Sequence, residues 1–158
     1  MTGYTTWYSG STQFEIAFPE DLSPLRIDMP QTYTGVNDGS SFFIDTTGMV
    51  QYTGSVPNVF NVKYTFTIEP ASKATGLRLW ISKNSSTVFN DEGQASICFD
   101  NTAFINSPSI GQLSFAISDT VLLNPFETVQ LMGQALKDDS YQQDWIISNI
   151  CGQIYGIS

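Results

Sequence analysis

From Phe60 to Ile68 the chain alternates without interruption: Phe60, Val62, Tyr64, Phe66 and Ile68 are apolar, while Asn61, Lys63, Thr65 and Thr67 are polar. Successive side chains of a strand point to opposite faces, so the segment predicts a β-strand with one face in a core. Leu77, Leu79 and Ile81 alternate with Arg78, Trp80 and Ser82. Ala95, Ile97 and Phe99 alternate with Ser96 and Cys98, and Leu113, Phe115 and Ile117 with Ser114, Ala116 and Ser118. Further strands are expected at 127–135 and 145–157, and shorter ones at 42–45 and 49–53. Turn chemistry separates these runs at Thr46-Thr47-Gly48, Gly54 to Asn58, Glu69-Pro70 to Gly76, Asn84-Ser85-Ser86, Asn90 to Gly93, Asn106 to Gly111, Asn124-Pro125 and Lys137 to Ser140. Helical periodicity is almost absent. Many short strands at this spacing predict an all-β fold, a two-sheet antiparallel sandwich.

The first 40 residues are less regular. Phe14, Ile16 and Phe18 alternate, then Pro19, Pro24 and Pro30 follow, and the segment ends on Gly35-Val36-Asn37-Asp38-Gly39. Proline cannot donate to a central ladder, so residues 1–40 read as an edge strand plus an extended arm, and 41–158 as the sandwich domain proper. Such an arm either docks on its own domain or reaches a neighbour.

The alternation breaks in the last strand. In strict alternation Trp145, Ile147, Cys151 and Tyr155 point one way, and Ile146, Ile150 and Ile154 the other, so both faces need a cover. Either the strand lies mid-sheet with its outer face under the N-terminal arm, or that face is a subunit interface. Trp80 and Cys98 fall on the nominally polar side of their own strands and join the same contact surface.

Composition sharpens this picture. Only 13% of the 158 residues are charged, about half the ~25% usual for soluble domains, while 13% are aromatic. Interface cores lose charge and gain aromatics, so an oligomer is expected. Fifteen acidic against six basic residues leave a net charge of -9, which repels phosphate backbones and makes nucleic acid an unsuitable partner. No apolar run approaches the roughly 20 residues of a bilayer-spanning helix. The first eleven residues lack the basic start and apolar stretch of a secretory signal.

The run Phe42-Phe43-Ile44-Asp45-Thr46-Thr47-Gly48-Met49-Val50-Gln51-Tyr52-Thr53-Gly54, followed by Val59-Phe60-Asn61-Val62 and Ile81-Ser82-Lys83-Asn84, resembles the jelly-roll domains of viral and bacteriophage virion proteins. Those are similar in turn to the trimers of tumour necrosis factor and the complement globular heads. The stretch from Ser118 to Leu123, then Phe126 to Leu131, resembles the family's Asp-x-x-x-Leu turn leading into a strand. The resemblance covers about residues 41 to 157 and departs at Ser85, where the family commonly has glycine. It implies a homotrimer about a three-fold axis, with the C-terminal strand near that axis. The interface candidates are then Trp80, Cys98, Trp145, Ile147, Cys151 and Tyr155.

Candidate chemistry is sparse. There is no histidine, which removes Ser-His-Asp and Cys-His catalysis and the usual zinc-ligand sets. No Gly-rich phosphate loop occurs, and no cofactor or metal is expected. The carboxylates Asp91-Glu92, Asp138-Asp139 and Asp144 sit in turn-like segments and read as solvated. Cys98 and Cys151 lack basic neighbours and read as inert thiols. Asn84-Ser85-Ser86 matches a glycosylation acceptor, a pattern with meaning only in a secretory pathway.

The expectation is a non-enzymatic virion structural protein, assembled in the host cytoplasm: a capsid decoration, cement or spike-like trimer whose partners are capsid or other virion proteins. The competing class is a carbohydrate- or receptor-binding module, with Trp7, Tyr8, Tyr33 and Tyr141 as contact aromatics for a host-surface glycan or receptor. A trimeric signalling ligand is a third reading, against which the missing secretory signal counts.

Overall fold

The computed structural model describes residues 4–9, 13–19, 21–38, 41–70, 76–85, 96–100, 113–136 and 143–157. Twelve strands follow one another in these segments: β1 Tyr4–Tyr8, β2 Phe14–Phe18, β3 Leu25–Arg26, β4 Tyr33–Asp38, β5 Phe42–Ile44, β6 Val50–Tyr52, β7 Asn58–Pro70, β8 Gly76–Lys83, β9 Ser96–Asp100, β10 Leu113–Leu123, β11 Thr128–Ala135 and β12 Gln143–Gly156. No helix occurs among the described residues.

Two six-stranded sheets divide them. The first, sheet A, runs β10-β7-β12-β1-β4, with β2 also on β12. The second, sheet B, runs β5-β6-β11-β8-β9, with β3 also on β11. The pairings are all antiparallel. Chain neighbours β6, β7 and β8 lie in alternate sheets, so the chain crosses the sandwich repeatedly and closes a jelly roll.

The core lies between the sheets, built from the alternating positions that periodicity marks. Sheet A contributes Phe60, Val62, Tyr64, Phe66 and Ile68 from β7; sheet B contributes Leu77, Leu79 and Ile81 from β8 and Val129 and Leu131 from β11. Three aromatics, Phe42, Tyr52 and Phe60, meet at centroid separations of 4.9 to 5.8 Å and tie the sheets together at one end.

The described parts of the first 40 residues are woven into both sheets. β1 lies between β12 and β4, β2 pairs with the opening of β12, and β3 with β11. Trp7, Ile16, Phe18, Ile27 and Met29 are core residues. Strands β1 and β4 carry no long apolar alternation, because they are short and β1 turns Thr5 as well as Trp7 inward.

The last strand corrects the two-faced reading. A register shift between Ser148 and Cys151, with Asn149 at φ 54°, is a β-bulge that flips the phase of alternation. Trp145 and Ile147 before it, and Ile150 and Ile154 after it, therefore all face the core, while Cys151 and Tyr155 face out. The bulge is clamped by Ser9, whose amide donates to the Ile150 carbonyl at 2.9 Å and whose Oγ accepts the Ile150 amide at 3.2 Å. Ser85 has φ 53°, the left-handed conformation that glycine adopts without cost.

Candidate contact surface

The outward face of sheet A is read from its register. One lateral row runs Tyr33, Tyr8, Cys151, Thr65, Ala116 across β4, β1, β12, β7 and β10. The next is Thr6, Gln153, Lys63, Ser118, and the third Asp38, Tyr4, Tyr155, Asn61, Thr120. At the end of the sheet Ile157 donates its amide to the Val59 carbonyl at 3.0 Å, and Val59 is opposite Leu122, which makes a short apolar row. Lys63 and, at the β4 edge, Asp38 are the charged residues in these rows, and Glu15 on β2 and Glu69 on β7 flank Ile146 further along the same face. The rings of Tyr8 and Tyr33, both about two-fifths exposed, stack at 5.4 Å with an interplanar angle of 22°. Ser118 Oγ donates to Asn61 Oδ1 at 3.1 Å, so much of the polar character of the face is satisfied within it.

The sequence-derived candidates separate sharply on this geometry. Cys151 and Tyr155 are exposed on β12 and share the face with Tyr8 and Tyr33, while Cys151 carries a free thiol. Trp145 and Ile147 are fully buried against the core, since the bulge puts them in the opposite phase from Cys151 and Tyr155. Trp7 is fully buried as well, its ring edge-on to Tyr64, and offers nothing to a ligand. Trp80 does point away from the core cluster, yet it too is fully buried within the chain, beside Met132 on β11, so no partner subunit reaches it. Cys98 lies on β9 opposite Arg78. Tyr141, Asp91, Glu92, Asp138 and Asp139 lie outside the described residues.

Sequence reasoning missed Tyr4 and the apolar row Ile157, Val59 and Leu122. Only the strand register brings those three residues, from three distant segments, side by side. Among the described residues no cluster of three or more His, Cys, Asp or Glu could hold a metal ion, and no helix is long and apolar enough to cross a membrane.

The electrostatics concentrate at the end where β10 turns into β11. Glu127 pairs with Lys83 at 2.8 Å and accepts the Asn124 amide at 2.8 Å and the Asn84 side-chain amide at 3.2 Å. The Lys83 ammonium and these donors hold its carboxyl down at about 2. Further along β11, Arg26 forks onto Asp28 at 2.7 and 3.1 Å, and Asp28 also accepts the buried Gln130 amide at 2.8 Å.

The fold defined by this topology is the jelly-roll sandwich of the tumour necrosis factor and complement globular-head type. Solved structures with this fold include PRD1 vertex protein P5, at TM-score 0.56 and 12% identity, covering 99% of this chain and 98% of that one. Eiger TNF from S. frugiperda matches at TM-score 0.53 and 8% identity over 100% of this chain and 94% of its own. The globular domain of zebrafish complement 1qA protein matches at TM-score 0.51 and 13% identity over 99% and 100%. No protein-family model and no curated protein matches the sequence.

Proposed function

We propose that this chain is a non-enzymatic structural protein of a virus particle, a decoration, cement or spike-like homotrimer that acts by assembly and surface contact. The observation that carries the reading is the outward face of sheet A: four tyrosines, Cys151 and neutral polar residues, on a chain of net charge -9. Lys63 is the one charge on β1, β12, β7 and β10 in the rows above, and acidic residues lie at the margins, Asp38 on β4 and Glu15 and Glu69 beside Ile146. The middle of such a face, with a single lysine, is where like-charged copies meet with least repulsion, and tyrosine is enriched at interface cores. The fold shared with a phage vertex protein supports placing the assembly on a virion, with capsid or other virion proteins as its partners. Light scattering of the purified chain at several concentrations tests this. A concentration-independent mass of three subunits is expected, and a clean monomer overturns the trimer.

A second reading is a carbohydrate- or receptor-binding sandwich module, favoured by the exposed Tyr8 and Tyr33 stack, since stacked rings offer a platform for a sugar face. A monomer that binds glycans and loses them on Tyr33→Ala would replace the first reading with this one.

A further inference from the structure

Phe126, Val56 and Phe43 are the most exposed large apolar side chains among the described residues, at 71%, 63% and 58%. All three are tied to the strand β6. Phe43 lies opposite Gln51, whose side-chain amide donates to the Phe126 carbonyl at 3.1 Å. The Phe126 amide donates to the Tyr52 carbonyl at 2.8 Å, and the Tyr52 hydroxyl, lying over Gly54, donates to the Val56 carbonyl at 2.8 Å. The Phe126 amide and carbonyl and the Val56 carbonyl are thus engaged inside the chain, and the exposed side chains beside them present hydrocarbon.

Phe126 is also in an unfavourable conformation. The turn Asn124-Pro125-Phe126-Glu127 is closed by the Glu127 amide on the Asn124 carbonyl at 3.1 Å, and Phe126 has φ 70°. Proline second and a positive φ third is the type II pattern, whose third position belongs to glycine or asparagine. A phenylalanine there costs stability, and the Glu127 clamp on Lys83, Asn84 and Asn124 holds it. An aromatic kept outward and rigid against its own backbone preference has the properties of a preorganised anchor, because little freedom remains to be lost on docking.

We infer that this end of the sandwich, with Phe126 as plug and Val56 and Phe43 beside it, docks into an apolar socket with a basic rim on another protein of the particle. The inference rests on the virion reading above. Charge selects the occupant. The chain carries -9, so a basic rim on a different protein steers it in, and the charges beside Phe126, those of Glu127 and Lys83, are paired with each other and leave a second copy nothing of opposite sign to meet. A sugar needs convergent polar groups, and the Phe126 and Val56 backbone groups named above already have partners within the chain.

The test uses virus particles stripped of this chain and the purified native assembly added back. Wild type is expected to rebind, less tightly as salt rises. Phe126→Gly relieves the turn, so it should melt at the same or a higher temperature and keep its assembly mass, yet rebind at least tenfold more weakly. Val56→Ser should weaken rebinding in the same direction. If wild type rebinds and both variants match it, the docking end is wrong while the virion reading stands. If wild type itself fails to rebind, both fall.

Discussion

Trp7 lies across Gly152. The two are register partners between β1 and β12, and a Cβ added at Gly152 would overlap the indole ring. On the other side of β12 the partner of Gly152 is Tyr64, whose ring meets the indole edge-on at 5.5 Å and 84°. A notch with no side chain in the central strand thus lets two large rings from its neighbours touch across it within the core. A tryptophan in the segment expected to be an arm is thereby the residue that locks that segment into sheet A.

Gly152→Ala is therefore an overpacking substitution. A loss of about 1–3 kcal/mol in denaturant unfolding is expected. Trp7→Phe, which shortens the ring, should recover part of that loss in a double-mutant cycle, and independent additive effects would contradict the contact.

Tyr64 is fully buried, its hydroxyl has no hydrogen-bond partner among the described residues, and burial pushes its phenol well above the ordinary tyrosine range. Tyr64→Phe should be neutral or stabilising by up to about 1 kcal/mol at pH 7. Because the folded pKa is raised, the neutral phenol's contribution is complete below the unfolded value near 10 and falls as pH rises above it. Thermal melts from pH 7 to 11 should show the wild type losing stability relative to Tyr64→Phe only at the alkaline end.

Glu127 has the opposite sign. Its folded pKa of about 2 lies below the ordinary 4.5, so its contribution is present above pH 4.5 and is lost as pH falls toward 2. Glu127→Gln should melt below the wild type at neutral pH, with the gap closing through that acid window. A gap independent of pH would remove the Lys83 pairing as its cause.

Tyr155→Asp and Tyr8→Asp place charge on the outward face of sheet A. Both should reduce the light-scattering mass from three subunits to one while the circular dichroism stays that of a β-sandwich. Cys151 reports on the same event: its thiol should react slowly with a maleimide in the assembly and quickly in either variant. Equal labelling rates would place the subunit contact elsewhere.

Trp80→Ala distinguishes a buried side chain from a contact one. With Trp80 fully enclosed by its own chain, the expected loss is about 3–5 kcal/mol of stability. Dissociation of a stable, well-folded subunit would instead return this residue to the interface.

Much of the fold is legible in the residues themselves. Phe60 to Ile68 and Leu113 to Ile117 become β7 and the opening of β10 because a period of two leaves a strand no other way to bury one face. The turn at Asn124-Pro125 and the one around Gly48, where φ is 86°, appear where their residue chemistry requires them. The candidate surface is only partly legible: Tyr8, Tyr33, Cys151 and Tyr155 can be named from the sequence, but not that the first two share a face with the last two.

By itself, then, the sequence determined the all-β class, the antiparallel sandwich, most of the strands and the low charge that an assembling surface needs. These follow from local periodicity and composition, which act within a few residues. Tertiary structure alone decided the phase of the last strand, the burial of Trp7, Trp80, Trp145 and Ile147, and the incorporation of the first 40 residues into both sheets. A bulge adds one residue without a mark in the hydrophobic pattern, and everything beyond it changes face. Whether an aromatic on a polar phase is exposed depends on what lies over it, and that is set by contacts between segments far apart in the chain.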